Sequence, residues 1–378
     1  ARVMTCDFLS LALPGVQKLS PYVPGKPVEE LAREFGLRAE DIVKLASNEN
    51  PLGPSPKALE AIRSAFDELT RYPDGNGFLL KQALAERLGV NTSMITLGNG
   101  SNDILELITR AFVSPQHEVV FSEHAFAVYP IVTQAVGARP VVVPARDWGH
   151  DLDAMAAAIT PATRLVFIAN PNNPTGTWIE RPALERFLAK VPENVIVVLD
   201  EAYTEYVETG DVPNGLDYLT QYPNLLVSRT FSKAYGLAAL RVGYGICQPA
   251  IADAMNRVRQ PFNVNSLAQA AALATLEDDA YLAESRRVNR EGMAQLEAGF
   301  TSLGLSWIFS RGNFIAVDLG REAAPVFQGL LRQGVIVRPV ANYGMPNHLR
   351  VSIGLPEENQ RFLDVLGQVL ADDSGAGV

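Results

Sequence analysis

The sequence predicts an α/β protein with a large domain, built on a mainly parallel sheet flanked by helices, and a small α+β domain. Its 378 residues exceed what a single hydrophobic core usually serves. Through the middle of the chain, short apolar runs alternate with helical patterns, which is typical of a parallel sheet covered on both faces. Near the C-terminus this alternation gives way to short strands around a single helix.

The first 45 residues are predicted to form an arm that packs with the small domain or with a partner subunit. Four prolines interrupt this segment before it settles into a helix from Val28 to Phe35, which Gly36 ends. The prolines are Pro14, Pro21, Pro24 and Pro27.

Residues 46–279 are predicted to form the large domain. Helical patterns run from Pro56 to Leu69, from Gly77 to Leu88 and from Ile104 to Phe112. The apolar runs predicted as strands are Met94–Leu97, Glu118–Phe121, Arg139–Val143, Leu165–Ala169, Val195–Asp200 and Leu225–Thr230. Several of them end in polar or glycine-rich loops, where open α/β sheets bind their ligands.

Residues 280–378 are predicted to form the small domain. A charged and apolar pattern from Ala280 to Leu303 indicates one long helix that connects the two domains. A further helix is predicted from Ala323 to Gln333. The predicted strands around it are Trp307–Phe309, Phe314–Asp318, Val335–Val337 and Leu349–Ile353.

Composition narrows the functional class. A formal net charge of -10 argues against a nucleic-acid-binding face, and no apolar run approaches the roughly 20 residues of a membrane-spanning helix. Cys6 and Cys247 lie far apart, and the four histidines are scattered, so neither a disulfide framework nor a metal site is expected. A reducing cytoplasm fits this cysteine usage.

A glycine-rich segment from Leu97 to Asp103 connects a predicted strand to a predicted helix. Backbone amides at such a helix start, together with Ser101, can bind a phosphate. The segment is not a dinucleotide fingerprint, because the third glycine of that motif would fall on Asp103. The alternative is ordinary capping of the helix.

Two further strand ends carry candidate ligand contacts. Phe126 lies in the loop after the strand that ends at Phe121, where its ring would either stack on a flat heterocycle or belong to the core. Asn173 lies in the rigid turn N-P-N-N-P-T-G, which presents amide side chains. A solvated tight turn is the alternative for that segment.

The remaining candidates lie at the ends of two further apolar runs. Asp200 ends V-I-V-V-L-D, and Tyr203 follows one turn later. Lys233 lies just beyond Leu225–Thr230, in S-K-A-Y-G. Considered alone, Asp200 could equally be a helix cap. Considered alone, Lys233 could be an ordinary solvated loop residue. Together they match an aldehyde cofactor held as an imine, which needs a carboxylate near its ring nitrogen.

These motifs together resemble the fold type I, aspartate-aminotransferase-like family of pyridoxal-phosphate enzymes. The likeness spans nearly the whole chain. It rests on G-N-G-S at Gly98–Ser101, N-N-P-T-G at Asn172–Gly176, D-E-A-Y at Asp200–Tyr203, and S-K-A-Y-G with Arg241.

The resemblance implies a role for each matching residue. Lys233 would bind the aldehyde of pyridoxal 5'-phosphate, and Asp200 would keep the cofactor ring protonated. The other cofactor contacts implied are Gly100, Ser101, Asn102, Phe126, Asn173, Tyr203, Ser232, Arg241 and, from the partner subunit, Tyr72. The family more often has tyrosine in place of Phe126 and aspartate in place of Asn102, which affects contacts around the cofactor but not the lysine or the aspartate.

Within that family, the chain is most similar to the histidinol-phosphate aminotransferases. The supporting segments are S-P-Y-V-P-G-K at Ser20–Lys26, L-A-S-N-E-N-P at Leu45–Pro51, R-Y-P-D at Arg71–Asp74, and V-I-V-R-P with H-L-R-V-S-I-G near the C-terminus. By this likeness, the substrate contacts would be Tyr22, Asn50, Arg338 and Arg350.

The implied reaction transfers an amino group between L-histidinol phosphate and 2-oxoglutarate, giving imidazole acetol phosphate and glutamate in histidine biosynthesis. Paired arginines suit a phosphate or a carboxylate. The alternatives are an aromatic or broad-specificity aminotransferase, a phosphoamino-acid decarboxylase, and a protein that has kept the fold without catalysis. A homodimer with shared active sites is implied by the family and by the arm.

Overall fold

A computed structural model describes residues 6–375 of the chain, and the start of the predicted arm therefore lies outside the described residues. The described part of the arm contains two α-helices and one short strand. These are α1 (Pro14–Gln17), α2 (Val28–Phe35) and β1 (Val43–Lys44). The predicted helix at Val28–Phe35 is confirmed, and Gly36 ends it with a left-handed φ of 66° that favours glycine.

The middle of the chain forms a seven-stranded sheet with helices packed around it. Its elements are α3 (Pro56–Ser64), α4 (Phe78–Leu88), β2 (Ile95–Gly98), α5 (Ser101–Phe112), β3 (Glu118–Ser122), α6 (Val128–Ala135), β4 (Arg139–Val143), α7 (Leu152–Ala157), β5 (Thr163–Ala169), α8 (Arg181–Lys190), β6 (Ile196–Asp200), β7 (Leu225–Thr230), β8 (Gly243–Ile246), α9 (Pro249–Val258) and α10 (Ser266–Thr275).

The seven-stranded sheet has the order β2-β8-β7-β6-β5-β3-β4. Its strands pair in parallel except at β8, which is antiparallel to both β7 and β2. The prediction of a mainly parallel sheet is confirmed. Every residue of β6 and β7 is buried, as expected for central strands covered by helices on both faces.

The end of the chain forms a small four-stranded antiparallel sheet, with a further strand that pairs with the arm. Its elements are α11 (Asp279–Ser302), β9 (Ser306–Ile308), β10 (Phe314–Asp318), α12 (Ala323–Arg332), β11 (Val335–Ile336), β12 (Arg338–Pro339), β13 (His348–Ser352) and α13 (Pro356–Gly375). The long predicted helix and the helix after Ala323 are confirmed.

Three predicted elements differ from the structure, either by more than two end residues or in the number of strands. The helix predicted from Ile104 to Phe112 begins at Ser101. The helix predicted from Pro56 to Leu69 ends at Ser64, because the next N–H, that of Ala65, donates to the carbonyl of Ile62 three residues back and not to the one four residues back. The single strand predicted from Val335 to Val337 is shorter, and a second strand follows it. Its first part, β11, pairs in parallel with β1 of the arm, and β12 pairs with β13.

Within residues 6–375, no helix has the length and the apolar content needed to cross a bilayer. The same residues contain no group of three or more histidine, cysteine, aspartate or glutamate side chains suited to a metal ion.

Candidate active site

A cavity of about 260 Å³ lies at the carboxyl ends of the parallel strands, beneath the arm and the small sheet. Such a strand edge is where open α/β sheets bind ligands. The lining residues come from the arm, the large sheet and β13: they are Tyr22, Pro24, Gly25, Ser47, Asn48, Ser101, Asn102, Phe126, Ala169, Pro171, Asn173, Asp200, Ala202, Tyr203, Thr230, Ser232, Lys233, Ala238, Arg241 and Arg350.

Lys233 supplies an amine inside this cavity. Its Nζ donates a hydrogen bond to the carbonyl oxygen of Ser47 at 3.0 Å and lies 5.9 Å from the centroid of the Tyr203 ring. Burial, followed by the positive charge of Arg350, lowers the pKa of Lys233 to about 8. More of the amine is therefore unprotonated near neutral pH than in a solvated lysine, which makes it a better nucleophile.

Asp200 is the last residue of β6, and its side chain is buried beside the cavity. The Tyr129 hydroxyl donates to Asp200 Oδ2 at 2.7 Å, and the backbone N–H of Ala202 donates to Oδ1 at 3.2 Å. Burial raises the pKa of Asp200. No basic side chain of the described residues forms an ion pair with it, so the carboxylate would be stabilised by a cationic ligand group.

Ser101, Ser232 and Arg241 form a cradle for an anion. Ser101 is the first residue of α5, where free backbone amides and the helix dipole favour negative charge. Arg241 donates to the Ser232 hydroxyl at 3.2 Å. Gly100 allows this arrangement, because a Cβ at that position would lie only 2.1 Å from a terminal nitrogen of Arg241.

Three side chains border the space between the amine and the carboxylate. The Tyr203 hydroxyl accepts a hydrogen bond from Asn48 Nδ2 at 3.0 Å, and burial raises the pKa of Tyr203. Asn173 Oδ1 accepts a hydrogen bond from Arg350 at 2.6 Å. The Phe126 ring also borders this space, and its centroid lies 5.9 Å from that of the Tyr129 ring.

Arg350 places a buried positive charge at the small-sheet side of the cavity. One terminal nitrogen donates to Asn173 and the other donates to the carbonyl of Ala46 at 2.7 Å. Its Nε has no hydrogen-bond partner among the described residues, and none of their carboxylates forms an ion pair with it. A buried guanidinium without a carboxylate partner is suited to binding an anionic group of a substrate.

Arg338 lies behind Tyr22 and does not line the cavity. Its guanidinium carbon is 5.4 Å from the Tyr22 ring centroid, and it donates to the carbonyl of Val23. Arg338 thus fixes the part of the arm that covers the cavity.

Asn50 and Tyr72, which are also predicted site residues, do not line this cavity. Asn50 donates to the carbonyl of Ala234 at 3.0 Å and to the Ser285 hydroxyl at 2.9 Å, so it supports the loop that carries Lys233. Tyr72 is 82% exposed and stacks on Phe262 with a centroid distance of 4.6 Å. Their predicted contacts with substrate and cofactor remain predictions.

Sequence reasoning missed Tyr129 and Asn48. Tyr129 lies in the same segment as Phe126, and Asn48 lies in the segment that suggested Asn50. The only available signal was that both are polar residues close in sequence to predicted site residues, Tyr129 to Phe126 and Asn48 to Asn50. Which residue of each motif points into the site depends on the backbone path.

The residues present fit pyridoxal 5'-phosphate. An aldehyde needs an amine, a ring nitrogen needs a carboxylate, and a phosphate needs backbone amides, hydroxyls and a guanidinium. The cavity supplies Lys233, the buried carboxylate of Asp200, and the cradle at Ser101, Ser232 and Arg241.

Comparisons with known proteins agree with this chemistry. The family model described as "Aminotransferase class I and II" matches residues 40–366. Among curated relatives, histidinol-phosphate aminotransferase 2 of Pseudomonas fluorescens Pf0-1 is 72% identical over 368 residues, covering 97% of this chain and 100% of the relative. The protein of the same name from Pseudomonas aeruginosa is also 72% identical, over 367 residues, with the same coverage.

Solved structures extend the likeness to three dimensions. Histidinol-phosphate aminotransferase from Sinorhizobium meliloti, in complex with pyridoxal-5'-phosphate, is 32% identical and superimposes with a TM-score of 0.88 over 95% of this chain and 97% of that one. Aspartate aminotransferase from Thermus thermophilus, with maleate, has a TM-score of 0.82 over 94% and 98%, and at 24% identity it supports the fold alone. The predicted fold type I architecture is confirmed.

Proposed function

Because the chain belongs to the class I and II aminotransferase family, we propose that it transfers an amino group between L-histidinol phosphate and 2-oxoglutarate. The products are imidazole acetol phosphate and glutamate, and the reaction belongs to histidine biosynthesis. The observation that carries this function is 72% identity to a histidinol-phosphate aminotransferase over 97% of the chain. The cavity with its amine and its carboxylate supplies the matching chemistry.

The cofactor is pyridoxal 5'-phosphate, which is bound by the Sinorhizobium meliloti relative. When bound, it supplies an electron sink for the bonds around the substrate's amino-bearing carbon. We assign its phosphate to the cradle at Ser101, Ser232 and Arg241, with Gly100 and Asn102 beside it. The arginine and the start of α5 both favour negative charge there.

Lys233 is proposed to hold the cofactor aldehyde and to move a proton at the substrate carbon. Its lowered pKa, about 8, keeps part of the amine free to accept a proton near neutral pH. The hydrogen bond to the carbonyl of Ser47 orients the amine within the cavity. No other lysine lines the cavity among the described residues.

Asp200 is proposed to hold the proton on the cofactor ring nitrogen. Tyr129 donates to Asp200 Oδ2 at 2.7 Å and therefore fixes the direction of the carboxylate. Asn173 and Tyr203 are assigned to the ring oxygen, and Phe126 to the face of the ring. Each of the three lines the cavity.

Arg350 and Tyr22 are proposed to bind the anionic end of the substrate. The guanidinium of Arg350 is buried without a carboxylate partner among the described residues, and burial lowers its pKa. The phosphate of histidinol phosphate or a carboxylate of 2-oxoglutarate would supply the missing charge. Arg338 would act through Tyr22, and Asn50 through the Lys233 loop.

A coupled steady-state assay tests the substrate assignment. Glutamate formation is measured with 2-oxoglutarate and either histidinol phosphate or phenylalanine as the amino donor. We expect kcat/KM for histidinol phosphate to exceed that for phenylalanine by roughly 100-fold, because a phosphate carries more negative charge to the buried guanidinium of Arg350 than the carboxylate of phenylalanine does. Brisk turnover of phenylalanine without turnover of histidinol phosphate would favour the aromatic aminotransferase instead.

We further propose that the protein acts as a homodimer in which Tyr72 reaches the cofactor of the partner subunit. Tyr72 is 82% exposed and is held by stacking on Phe262, which is itself 43% exposed. Apolar side chains of the arm are also exposed: Phe8, Leu9, Leu11 and Leu13. A partner subunit would cover such surfaces.

Mixing two inactive variants tests the shared site. Lys233→Ala and Tyr72→Ala are combined in equal amounts under conditions that exchange subunits. If Tyr72 acts across the dimer, half of the dimers are mixed and each has one intact site, so about a quarter of the wild-type activity returns. No recovery in mixed dimers would show that Tyr72 acts within its own subunit, and a fully active monomer in sedimentation would overturn the dimer.

We also propose a division into an arm (1–45), a large domain (46–279) and a small domain (280–378). In support, one hydrophobic cluster joins Leu45 of the arm to residues from Leu296 to Val369, whereas the two largest clusters lie between Ala58 and Leu282. Separate hydrogen-exchange protection of these units would agree with this division, and uniform protection would argue against it.

A cytoplasmic location is proposed from the two free cysteines, Cys6 and Cys247. Fractionation of the cells that make the protein would test it, and recovery outside the cytoplasm would contradict it.

A further inference from the structure

A second and larger cavity, of about 580 Å³, lies between the large sheet and the small sheet. It shares no lining residue with the first cavity. The lining residues are Arg146, Asp147, Trp148, Gly149, His150, Thr177, Trp178, Glu180, Ser306, Trp307, Ile308, Phe309, Asp318 and His348. The proposed transamination uses none of them.

Aromatic rings dominate this cavity. It contains all three tryptophans of the chain. Trp148 lies between two imidazoles, with its centroid 5.1 Å from that of His124 and 4.8 Å from that of His348. Phe309 adds a side chain that is 64% exposed. Rings that remain accessible around a cavity of this size favour a flat ligand.

The turn that presents Trp148 has an unfavourable backbone. Arg146 and Gly149 exchange both backbone hydrogen bonds, and the two residues between them, Asp147 and Trp148, have φ values of 49° and 67°. Such a turn normally contains asparagine and glycine, because a bulky side chain is disfavoured at positive φ. At this position Trp148 packs between the two imidazoles, of His124 and His348.

Two buried imidazole nitrogens in this cavity have no partner among the described residues. They are Nδ1 of His150 and Nδ1 of His348. The Nε2 of His150 is already used by the backbone of Ala169. Burial lowers the pKa of both histidines, that of His150 to about 4, so the rings are neutral at physiological pH and do not repel a cation.

The charged residues that line the cavity favour a positive ligand. Three carboxylates, from Asp147, Glu180 and Asp318, are accompanied by one guanidinium, from Arg146. Asp318 lies opposite His348 in the register between β10 and β13, so a carboxylate and an unpaired imidazole nitrogen are neighbours. A cation between carboxylates and aromatic faces is stabilised by both.

We propose that this cavity is a second binding site for a small molecule that combines a planar aromatic or imidazole ring with an ammonium group. The ring would lie against Trp148, and the ammonium group near Asp318. His348 is two residues from Arg350 on β13, so both side chains are on the same face of the strand. The occupant would therefore bridge the large and small sheets next to the substrate pocket.

Titration of the cofactor-loaded enzyme with benzyltrimethylammonium tests the site by tryptophan fluorescence. This probe has the ring and the charge, and its quaternary nitrogen cannot form a covalent link with an aldehyde. Since every tryptophan lines the cavity, the emission reports on this site. We expect a saturable change with a Kd at or below about 1 mM. A linear, non-saturating response would overturn the proposal.

Two variants and a neutral probe identify the contacts. Asp318→Asn is expected to weaken binding roughly tenfold, because the carboxylate nearest His348 is lost. Asp364→Asn, an exposed carboxylate on α13 outside the cavity, is expected to leave the Kd unchanged. Benzyl alcohol, which lacks the charge, should bind at least about tenfold more weakly. Equal affinity of Asp318→Asn and wild type, or of the two probes, would overturn the cation assignment.

The outcome is independent of the proposed aminotransferase reaction, because the measurement reports binding and not turnover. Trp148→Ala provides a second check: it should reduce the fluorescence change and raise the Kd, provided that circular dichroism shows a folded protein. Retention of the wild-type Kd in a folded Trp148→Ala variant would contradict the role given to this ring.

Discussion

The cofactor side and the substrate side of the active site are built differently. Asp200 ends β6, Lys233 follows β7 and Arg241 precedes β8, and these three strands are neighbours in the large sheet. Tyr22 and Arg350 come from opposite ends of the chain, the arm and β13. Neighbouring strand ends position the residues assigned to cofactor chemistry, whereas the residues proposed to bind the substrate meet only where the two ends of the chain pack over the large sheet.

Hydrogen bonds join the two sides. Arg350 donates to Asn173 at 2.6 Å, and Ser352, two residues later on β13, donates to Asn48, which donates in turn to the Tyr203 hydroxyl. We therefore expect substitutions on the cofactor side to abolish the reaction and substitutions on the substrate side mainly to weaken substrate binding. Substitutions on the substrate side should also have a small effect on the cofactor side.

Replacement of the amine should have the largest effect. Lys233→Ala is expected to lower kcat by at least about 10⁴-fold and to remove the visible absorbance of the lysine-bound cofactor, because the nucleophile and the proton carrier are lost together. Steady-state assays and absorbance spectra measure both. Lys190→Ala, an exposed lysine on α8, should leave both unchanged. Visible absorbance that persists in Lys233→Ala would contradict the assignment.

Removal of the carboxylate charge should have the next largest effect. Asp200→Asn is expected to lower kcat by roughly 100-fold to 1000-fold, because an amide does not stabilise a protonated ring nitrogen. Tyr129→Phe, which removes only the 2.7 Å hydrogen bond to Asp200, should lower kcat by about tenfold and leave KM nearly unchanged. A fall of less than tenfold in Asp200→Asn would remove the electron-sink role from this residue.

On the substrate side, Arg350→Gln is expected to lower kcat/KM for histidinol phosphate roughly 100-fold, mainly through KM, because the anion loses a buried charged partner. The absorbance of the bound cofactor should be unchanged. Arg257→Gln, an exposed arginine on α9, is the matched control. If Arg350→Gln instead abolished cofactor absorbance while circular dichroism stayed native, the two sides would not be separable.

The smallest expected effect is that of Arg350, on the substrate side, on the pKa of Lys233, on the cofactor side. It should appear in the pH dependence of cofactor binding. The pKa of Lys233 is about 8, and a protonated amine cannot attack an aldehyde, so capture of added cofactor by the apoenzyme should accelerate as pH rises through about 8. Arg350 helps to lower that pKa, and Arg350→Gln should therefore move the midpoint to higher pH. Stopped-flow absorbance measures the rate. An unmoved midpoint would show that the positive charge of Arg350 does not act on the amine.

Much of the cofactor side could be read from local patterns. A buried apolar run followed by Asp200, and another followed by Lys233, indicate strand ends, and parallel strand ends meet at one edge of a sheet. The glycine-rich segment before α5 is similarly local, and Gly100 is indeed required for the approach of Arg241. These residues all line or border the cavity.

The missed residues depend on longer-range geometry. Nothing in the spacing of Tyr129 indicates that its hydroxyl reaches Asp200, 71 positions later in the chain. The sequence predicts Asn50 as the site residue of its segment. In the structure Asn48 donates to the Tyr203 hydroxyl, whereas Asn50 donates to the loop that carries Lys233. The strand predicted from Val335 to Val337 is divided for the same reason, since pairing with the arm and pairing with β13 compete for adjacent residues.

The sequence by itself determined the fold class, the mainly parallel sheet and the residue types of the cofactor chemistry, because strand and helix periodicity and strand-end position are local properties. Only the tertiary structure decided that Arg350, and not Arg338, lines the cavity, and how the arm covers it. It also decided that three tryptophans from distant segments line a second cavity. These features depend on how the arm, the large sheet and the small sheet pack together, and contacts between residues hundreds of positions apart leave no periodic signal in the chain.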